Sequence, residues 1–317
     1  MRAVLVGGLG FLGAALAERL ISDGWEVVVA ARRSSAVRRP RLAGYLEGRG
    51  ARLSLFEAEI DPKGLEALGG DVYYHLAGSI GGMSRMWSAH VDLARVVVEA
   101  ADGLGSRVVY VSAVTAPGRV AGAAAGSRVV EEERHLDPAL VTPETPFEAT
   151  KAEGERIIAS HRGAWSIVRP GLLVGRWGYH TEWRLVHALS RIGLAPDLEC
   201  APLSPVSGVS AILEAAGEGR YDGVWLNAVA CTCNLSEATL EACRLIRGRP
   251  CRAIGVTGIL KALGSIAPQD SPLKEAAVIA ARCYRYESRH PQPPWPSPGD
   301  AAREWVEWLK WWGSTSL

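Results

Sequence analysis

Ala3-Val4-Leu5-Val6-Gly7-Gly8-Leu9-Gly10-Phe11-Leu12-Gly13 decides the fold. Four consecutive apolar residues suit a strand buried on both faces. Three glycines at a fixed interval follow, and Ala14–Leu20 then reads as a helix. Strand, glycine-rich turn and helix together are what a dinucleotide pyrophosphate requires. The glycines let the backbone come close to the phosphates, and the helix N-terminus offers N–H groups and the positive end of its dipole. Glycines at 7, 10 and 13 give GxxGxxG rather than GxGxxG, a slightly longer turn. Arg2, the apolar run and Ala15-Leu16-Ala17 imitate a secretory leader. The regular glycines and the strands that continue the pattern downstream instead make this stretch part of the fold.

Outward from this unit, Trp25–Ala31 is a second β-rich run, Leu53–Phe56 a third, Asp71–Gly78 a fourth ending in small residues, Arg107–Ser112 a fifth and Trp165–Val168 a sixth. Residues 89–103 and 147–158 carry apolar residues at helical spacing, and Pro146 suits a first helical turn. Alternating strands and helices predict an α/β protein with a Rossmann-like, doubly wound parallel sheet. Ligands of such sheets lie beyond the carboxyl ends of the strands, where Gly7–Gly13, Ala77-Gly78 and Ser112–Thr115 converge. We expect residues 1–175, completed by about 206–230, to form this unit. Residues 176–205 and 231–317 are expected to form a smaller, mostly helical lobe over the substrate. Residues 113–145, rich in Gly, Ala and Pro with the run Glu131-Glu132-Glu133-Arg134, read as a surface loop or lid.

Composition narrows the function classes. The chain has 317 residues, 48% hydrophobic and 22% charged, with a formal charge of +1. That balance gives no reason to expect nucleic acid or a membrane surface as partner, and no apolar run is long enough to span a bilayer. A small-molecule substrate and a cytoplasmic location are the expectation. Only five of the 35 basic residues are lysines, with two asparagines and two glutamines in all. Scarce thermolabile amides fit a thermophile, although a GC-rich genome produces the same bias. Cys231-Thr232-Cys233 lacks zinc-knuckle spacing and has no neighbouring histidine, so no metal site is expected. Reduced thiols are the default, with a disulfide or two possible in a hyperthermophile cytosol.

At the end of the second strand, where an acidic residue would bind both adenosine ribose hydroxyls, stand Arg32-Arg33-Ser34-Ser35. Guanidinium forks suit a 2′-phosphate, which favours NADP over NAD. Arg38, Arg39 and Arg41 extend the run, and a solvated basic loop is the competing reading.

Val6-Gly-Gly-Leu-Gly-Phe-Leu-Gly13, Tyr74-His-Leu-Ala77, Val109-Tyr-Val-Ser112, Lys151 on its helix and Arg169-Pro-Gly-Leu-Leu-Val-Gly175 occur in one order. Asn227 after Val224-Trp-Leu226 matches a later strand. In this order the chain resembles the extended short-chain dehydrogenases/reductases, a group of nucleotide-sugar epimerases, dehydratases and related reductases. The resemblance covers about residues 1–230. It implies a cofactor site at Gly7, Gly10, Phe11, Leu12, Gly13, Arg32, Arg33, Glu59, Ile60, Leu76, Ala77, Gly78, Ser112, Lys151, Pro170 and Gly171, with Asp61 an alternative to Glu59. It also implies a nucleotide sugar or other hydroxyl/carbonyl substrate, and a homodimer through the helices at about 89–103 and 147–160.

The same resemblance implies a Tyr-xxx-Lys pair on one helical face and a Ser or Thr after the fifth strand. Lysine holds the nicotinamide ribose and lowers the phenol pKa, and the phenol exchanges the substrate proton. Lys151 is present, but position 147 is Phe and the Ser/Thr position falls on Ala113. Lys151 and Thr115 are the surviving catalytic candidates. A substitute acid/base from Thr115, Tyr179, His180 or the 113–145 segment would keep the reaction. Without one the fold binds its dinucleotide as a sensor or assembly subunit. His90 replaces the asparagine that usually bridges backbone groups, and His75 reads as a packed strand histidine. Trp305, Trp308, Trp311 and Trp312 form a stripe that reads as core or interface, after the stiff connector His290–Pro298.

Overall fold

The structure is a computed structural model and describes all residues except 58–59, 131–136, 138–139, 179–180 and 315–317, with the side chains of 181 and 314 also left out. Seven strands form one sheet: β1 (Arg2–Val6), β2 (Glu26–Arg32), β3 (Arg52–Phe56), β4 (Val72–His75), β5 (Arg107–Val111), β6 (Trp165–Pro170) and β7 (Val224–Ala228). Their order is β3-β2-β1-β4-β5-β6-β7, and every pairing is parallel. The chain direction across the sheet reverses between β1 and β4, which opens the crevice where doubly wound sheets bind ligands.

The strands read as apolar runs because both faces are covered. Ala3, Val4, Leu5 and Val6 are fully buried, and Val4 pairs in register with Val28 on one side and Tyr73 on the other. On one face lie α1 (Phe11–Ser22) and α4 (Val206–Gly217). On the other lie α2 (Leu93–Leu104) and α3 (Pro146–Ala159), with a π-turn over Ser88–Asp92 leading into α2. Thr145 caps α3, its hydroxyl accepting from the Glu148 N–H, and Pro146 occupies the first turn.

Residues beyond the sheet include helices Thr181–Arg191, Ser236–Arg247 and Thr257–Ile266, followed by α5 (Pro272–Arg282) and α6 (Pro298–Ser314). Two small sheets accompany them, 172–174 with 201–205 and 231–233, and 194–197 with 252–255. Trp305 and Trp308 are buried, so the tryptophan stripe of α6 is core along most of its length.

Two expectations need correction. Residues 113–145 are more than a surface loop. Arg119-Val120 pairs with Val141-Thr142, Arg128–Val130 pairs with Arg285–Glu287, and Val114 and Val129 join Tyr284 and Tyr286 in a small core of their own. The charge run at 131–134 lies outside the described residues. The cysteines are not free thiols: Cys200–Cys283, Cys231–Cys233 and Cys243–Cys251 are all joined, because the folded chain brings Cα atoms 83, 2 and 8 residues apart to within 5.1–6.2 Å.

Candidate dinucleotide and substrate site

The turn after β1 packs against the end of β4. Gly7 has φ +88°, and a Cβ there would sit 2.7 Å from the Ala77 backbone nitrogen. A Cβ on Gly13 would sit 2.6 Å from Gly8 Cα, so the third glycine sets how closely α1 approaches the turn. Gly10 is the N-cap of α1 with no side-chain cap, and no acidic residue occupies the first turn. The helix end is thus left to an anion from outside the helix. Arg39 folds back and donates to the Leu9 carbonyl of the turn, which brings a guanidinium beside it. The basic run is therefore partly built into the site, and no local sequence signal marks Arg39 for that position.

At the end of β2, Arg32 is exposed, whereas Arg33 forms an ion pair with Glu57 from beyond β3. Among the described residues, Arg32 is the one of the two predicted phosphate partners without such a carboxylate. Ile60, like Phe56, packs against the core on one face of the sheet, and Asp61 caps a short helix, accepting from the Gly64 N–H at 2.8 Å. Glu59 lies outside the described residues, as do Tyr179 and His180.

Leu76, Ala77 and Gly78 leave β4 toward α3. A Cβ on Gly78 would lie 3.9 Å from both Lys151 Nζ and His90 Nε2. Lys151 is buried and donates to the Val111 carbonyl at 2.8 Å, with its ammonium 5.0 Å from the Tyr110 ring centre. Burial pulls its pKa down from 10.5 to about 7, and Glu155 opposes the fall. Glu155 is itself held in a buried ion pair with Arg169 of β6, so it does not reach the lysine as a hydrogen-bond partner. Pro170 and Gly171 end β6, where the Pro170 carbonyl accepts from Val114 and the Gly171 N–H donates to Ser204.

His90 makes two hydrogen bonds in place of the asparagine amide. Its Nε2 accepts from the Ser79 N–H at 3.2 Å, and its Nδ1 donates to Thr150 Oγ1 at 2.9 Å. Thr150 in turn donates to the Pro146 and Phe147 carbonyls. The imidazole thus ties the β4 loop to α3 and is held neutral, since burial and the Lys151 charge push its pKa far down. The Phe147 ring packs edge-on against it at 5.5 Å. His75 is a packed strand histidine, fully buried and edge-on to Tyr110.

Ser112 Oγ is buried with no hydrogen-bond partner among the described residues. An orphaned hydroxyl beside the Lys151 strand end, an uncapped helix and a glycine turn that a side chain would fill all fit a bound dinucleotide. Thr115 departs from the expected arrangement. Its hydroxyl donates to Glu275 of α5, at 3.0 Å, and not to Lys151. Glu275 also accepts from Thr145 Oγ1 at 2.6 Å, and the neighbouring Arg282 bridges Glu144 and Glu148. Sequence reading missed Glu275 and Arg282 because they lie far down the chain in a helix with no motif. Surface hollows around Glu214 and around Met1 lie at the opposite end of the strands.

This architecture is that of a dinucleotide-binding doubly wound α/β protein. A family model described as "NAD dependent epimerase/dehydratase family" matches residues 3–194, and the chain belongs to that family. Solved structures share the fold. "MoeE5 in complex with UDP-glucose and NAD" aligns over 100% of both chains at TM-score 0.72 and 18% identity. The Bordetella bronchiseptica enzyme WbmG, solved in complex with NAD and UDP, aligns over 98% of this chain and 94% of its own at TM-score 0.66 and 16% identity. The terminal R domain from the myxalamid PKS-NRPS biosynthetic pathway aligns over 99% and 91% at TM-score 0.69 and 19% identity. No curated protein matches the chain in sequence. Among the described residues, no helix is long and apolar enough to cross a membrane.

Proposed function

We propose that the chain is a nicotinamide-dinucleotide-dependent enzyme of the epimerase/dehydratase or reductase kind, acting on a hydroxyl or carbonyl of a nucleotide sugar or similar small molecule. The observation that carries this reading is Lys151, a buried ammonium kept at the strand ends beside Gly78 and the orphaned Ser112 hydroxyl. Burying a cation costs several kcal/mol, so its retention without a carboxylate in contact among the described residues argues for a ligand-directed role.

In this reading the turn from Gly7 to Gly13 and the start of α1 take the pyrophosphate. Leu76, Ala77, Gly78 and Ile60 border the nucleoside, Pro170 and Gly171 the nicotinamide, and Lys151 and Ser112 its ribose. When bound, the nicotinamide accepts or returns a hydride. Lys151 orients the ribose and adds positive charge where substrate oxygen gains electron density. Phe147 and Ala113 supply no proton, so the acid/base is non-standard. NADP is preferred to NAD, with Arg32 as the 2′-phosphate partner; the bound NAD of the structural relatives is the counterweight. The family resemblance supports a homodimer through α2 and α3. The three cysteine pairings, with the amide-poor composition, support the cytosol of a hyperthermophile.

A cofactor-binding protein without turnover is the second reading, favoured by the two hydroxyls missing at positions 113 and 147. Calorimetric titration with NADPH and NADH, followed by assay with a panel of UDP- and dTDP-sugars, tests both. Tight NADPH binding that weakens about 10–100-fold in Arg32→Ala, with NADH unaffected, is expected from the loss of a charge-assisted phosphate contact. Binding of neither nucleotide would refute the proposal, and binding without any turnover would favour the second reading.

A further inference from the structure

We propose that Glu275 is the proton reservoir of this site, acting through the Thr115 hydroxyl in place of the missing tyrosine. The proposal rests on the enzymatic reading above. It starts from an unusual placement. Glu275 belongs to α5, near the far end of the chain, yet it is only 6% exposed and lies between two site segments. One carboxyl oxygen accepts from Thr115, two residues after Ala113, and the other from Thr145, two residues before Phe147. The carboxyl therefore joins the two segments from which the family's hydroxyls are absent. The start of α5 also overlies the loop after β4, since a Cβ on Gly81 would be 3.6 Å from the Asp270 carbonyl and 3.8 Å from Pro272.

A purely structural carboxylate in this place would be expected to hold a cation. Arg282 is close by in the same helix but spends its guanidinium on Glu144 and Glu148, with contacts of 2.6–2.9 Å. Among the described residues, Glu275 is left with two neutral hydroxyl donors. The groups that bear on its charge are Glu148 of α3, which disfavours the carboxylate, the two threonine hydroxyls, which favour it, and Arg282, whose charge favours it from a distance. Burial outweighs these and pushes its pKa up to about 7, with Glu148 adding to the rise. A carboxyl that exchanges its proton near neutrality is suited to general acid/base work.

The substrate carbinol loses its C–H hydrogen as hydride to the nicotinamide. Its O–H proton passes to Thr115 Oγ1 while the proton already on Thr115 passes to the Glu275 carboxylate. The products are a carbonyl, a reduced nicotinamide and a protonated Glu275. In the reverse direction the same proton returns through Thr115 to the carbonyl oxygen. Thr115 touches substrate, and Glu275 is a positioning and relay residue behind it.

The test has two arms on the full chain. In the cofactor-free protein labelled with carboxyl-13C glutamate, one resonance should titrate near pH 7 and be absent from Glu275→Gln. In the second arm, NADP⁺ reduction with the UDP- and dTDP-sugar panel is followed from pH 5 to 9. The wild-type rate should rise through an inflection near pH 7. In Glu275→Gln and Thr115→Val that inflection should vanish and the rate should fall about 10²–10⁴-fold, with NADPH affinity unchanged. Thr115→Ser should restore most of the rate. A Glu275 resonance that titrates below pH 5, or an inflection that survives in Glu275→Gln, overturns the relay and leaves the enzyme reading standing. Wild-type protein that binds nucleotide but turns over no substrate overturns both.

Discussion

Lys151→Met should stabilise this protein at neutral and acid pH while impairing cofactor binding. In the unfolded chain the lysine keeps its proton up to pH 10.5, whereas in the fold burial brings the pKa to about 7. Between those values the unfolded state binds more protons, so stability rises with pH through that window. The cost of the buried charge is therefore fully present below about pH 7 and fades as pH approaches 10.5. A displacement of that size corresponds to about 5 kcal/mol. Removing the ammonium also leaves the Val111 carbonyl without its 2.8 Å donor, which costs about 1–3 kcal/mol. The variant should thus gain about 2–4 kcal/mol at pH 6. With an unfolding entropy of about 2.1 cal/mol/K per residue, that gain is ~3–6 °C in Tm for a chain of this length. Guanidinium unfolding at pH 6 and pH 10 is the assay. The advantage should be clear at pH 6 and absent at pH 10. Destabilisation at pH 6, or an identical difference at both pH values, would refute the argument that Lys151 is an energetically costly charge kept for a ligand.

Gly7→Ala combines φ +88° with a Cβ 2.7 Å from the Ala77 backbone. It should cost about 1–2 kcal/mol of stability from the left-handed backbone alone and weaken dinucleotide binding more than tenfold by calorimetry. Arg282→Met leaves the fully buried Glu148 without its counter-ion and should cost about 3–5 kcal/mol at pH 8. Burial raises the Glu148 pKa, so a carboxyl protonated at low pH needs no partner, and the loss should shrink when unfolding is measured at pH 5. His75→Phe removes two ring nitrogens that are buried with no hydrogen-bond partner among the described residues. Thermal unfolding should show the variant unchanged or more stable by up to about 1–3 kcal/mol.

The parts of this protein written in local sequence are those that local physics controls. The β1 run, the glycine turn and α1 are contiguous, and their glycines answer to steric demands within a few residues. The reading of a doubly wound parallel sheet followed directly, as did the Pro146 start of α3. The tertiary structure decided what depends on distant segments meeting. Thr115 faces a carboxyl 160 residues away, and Glu148 meets a guanidinium 134 residues away. Arg39 leaves a basic run, indistinguishable from a solvated loop, to donate to the glycine turn. His90 ties the loop after β4 to Thr150 of α3 with its two ring nitrogens. Backbone conformation follows from neighbours along the chain, whereas the desolvation that shapes Lys151 and Glu275 exists only once remote elements exclude water around them.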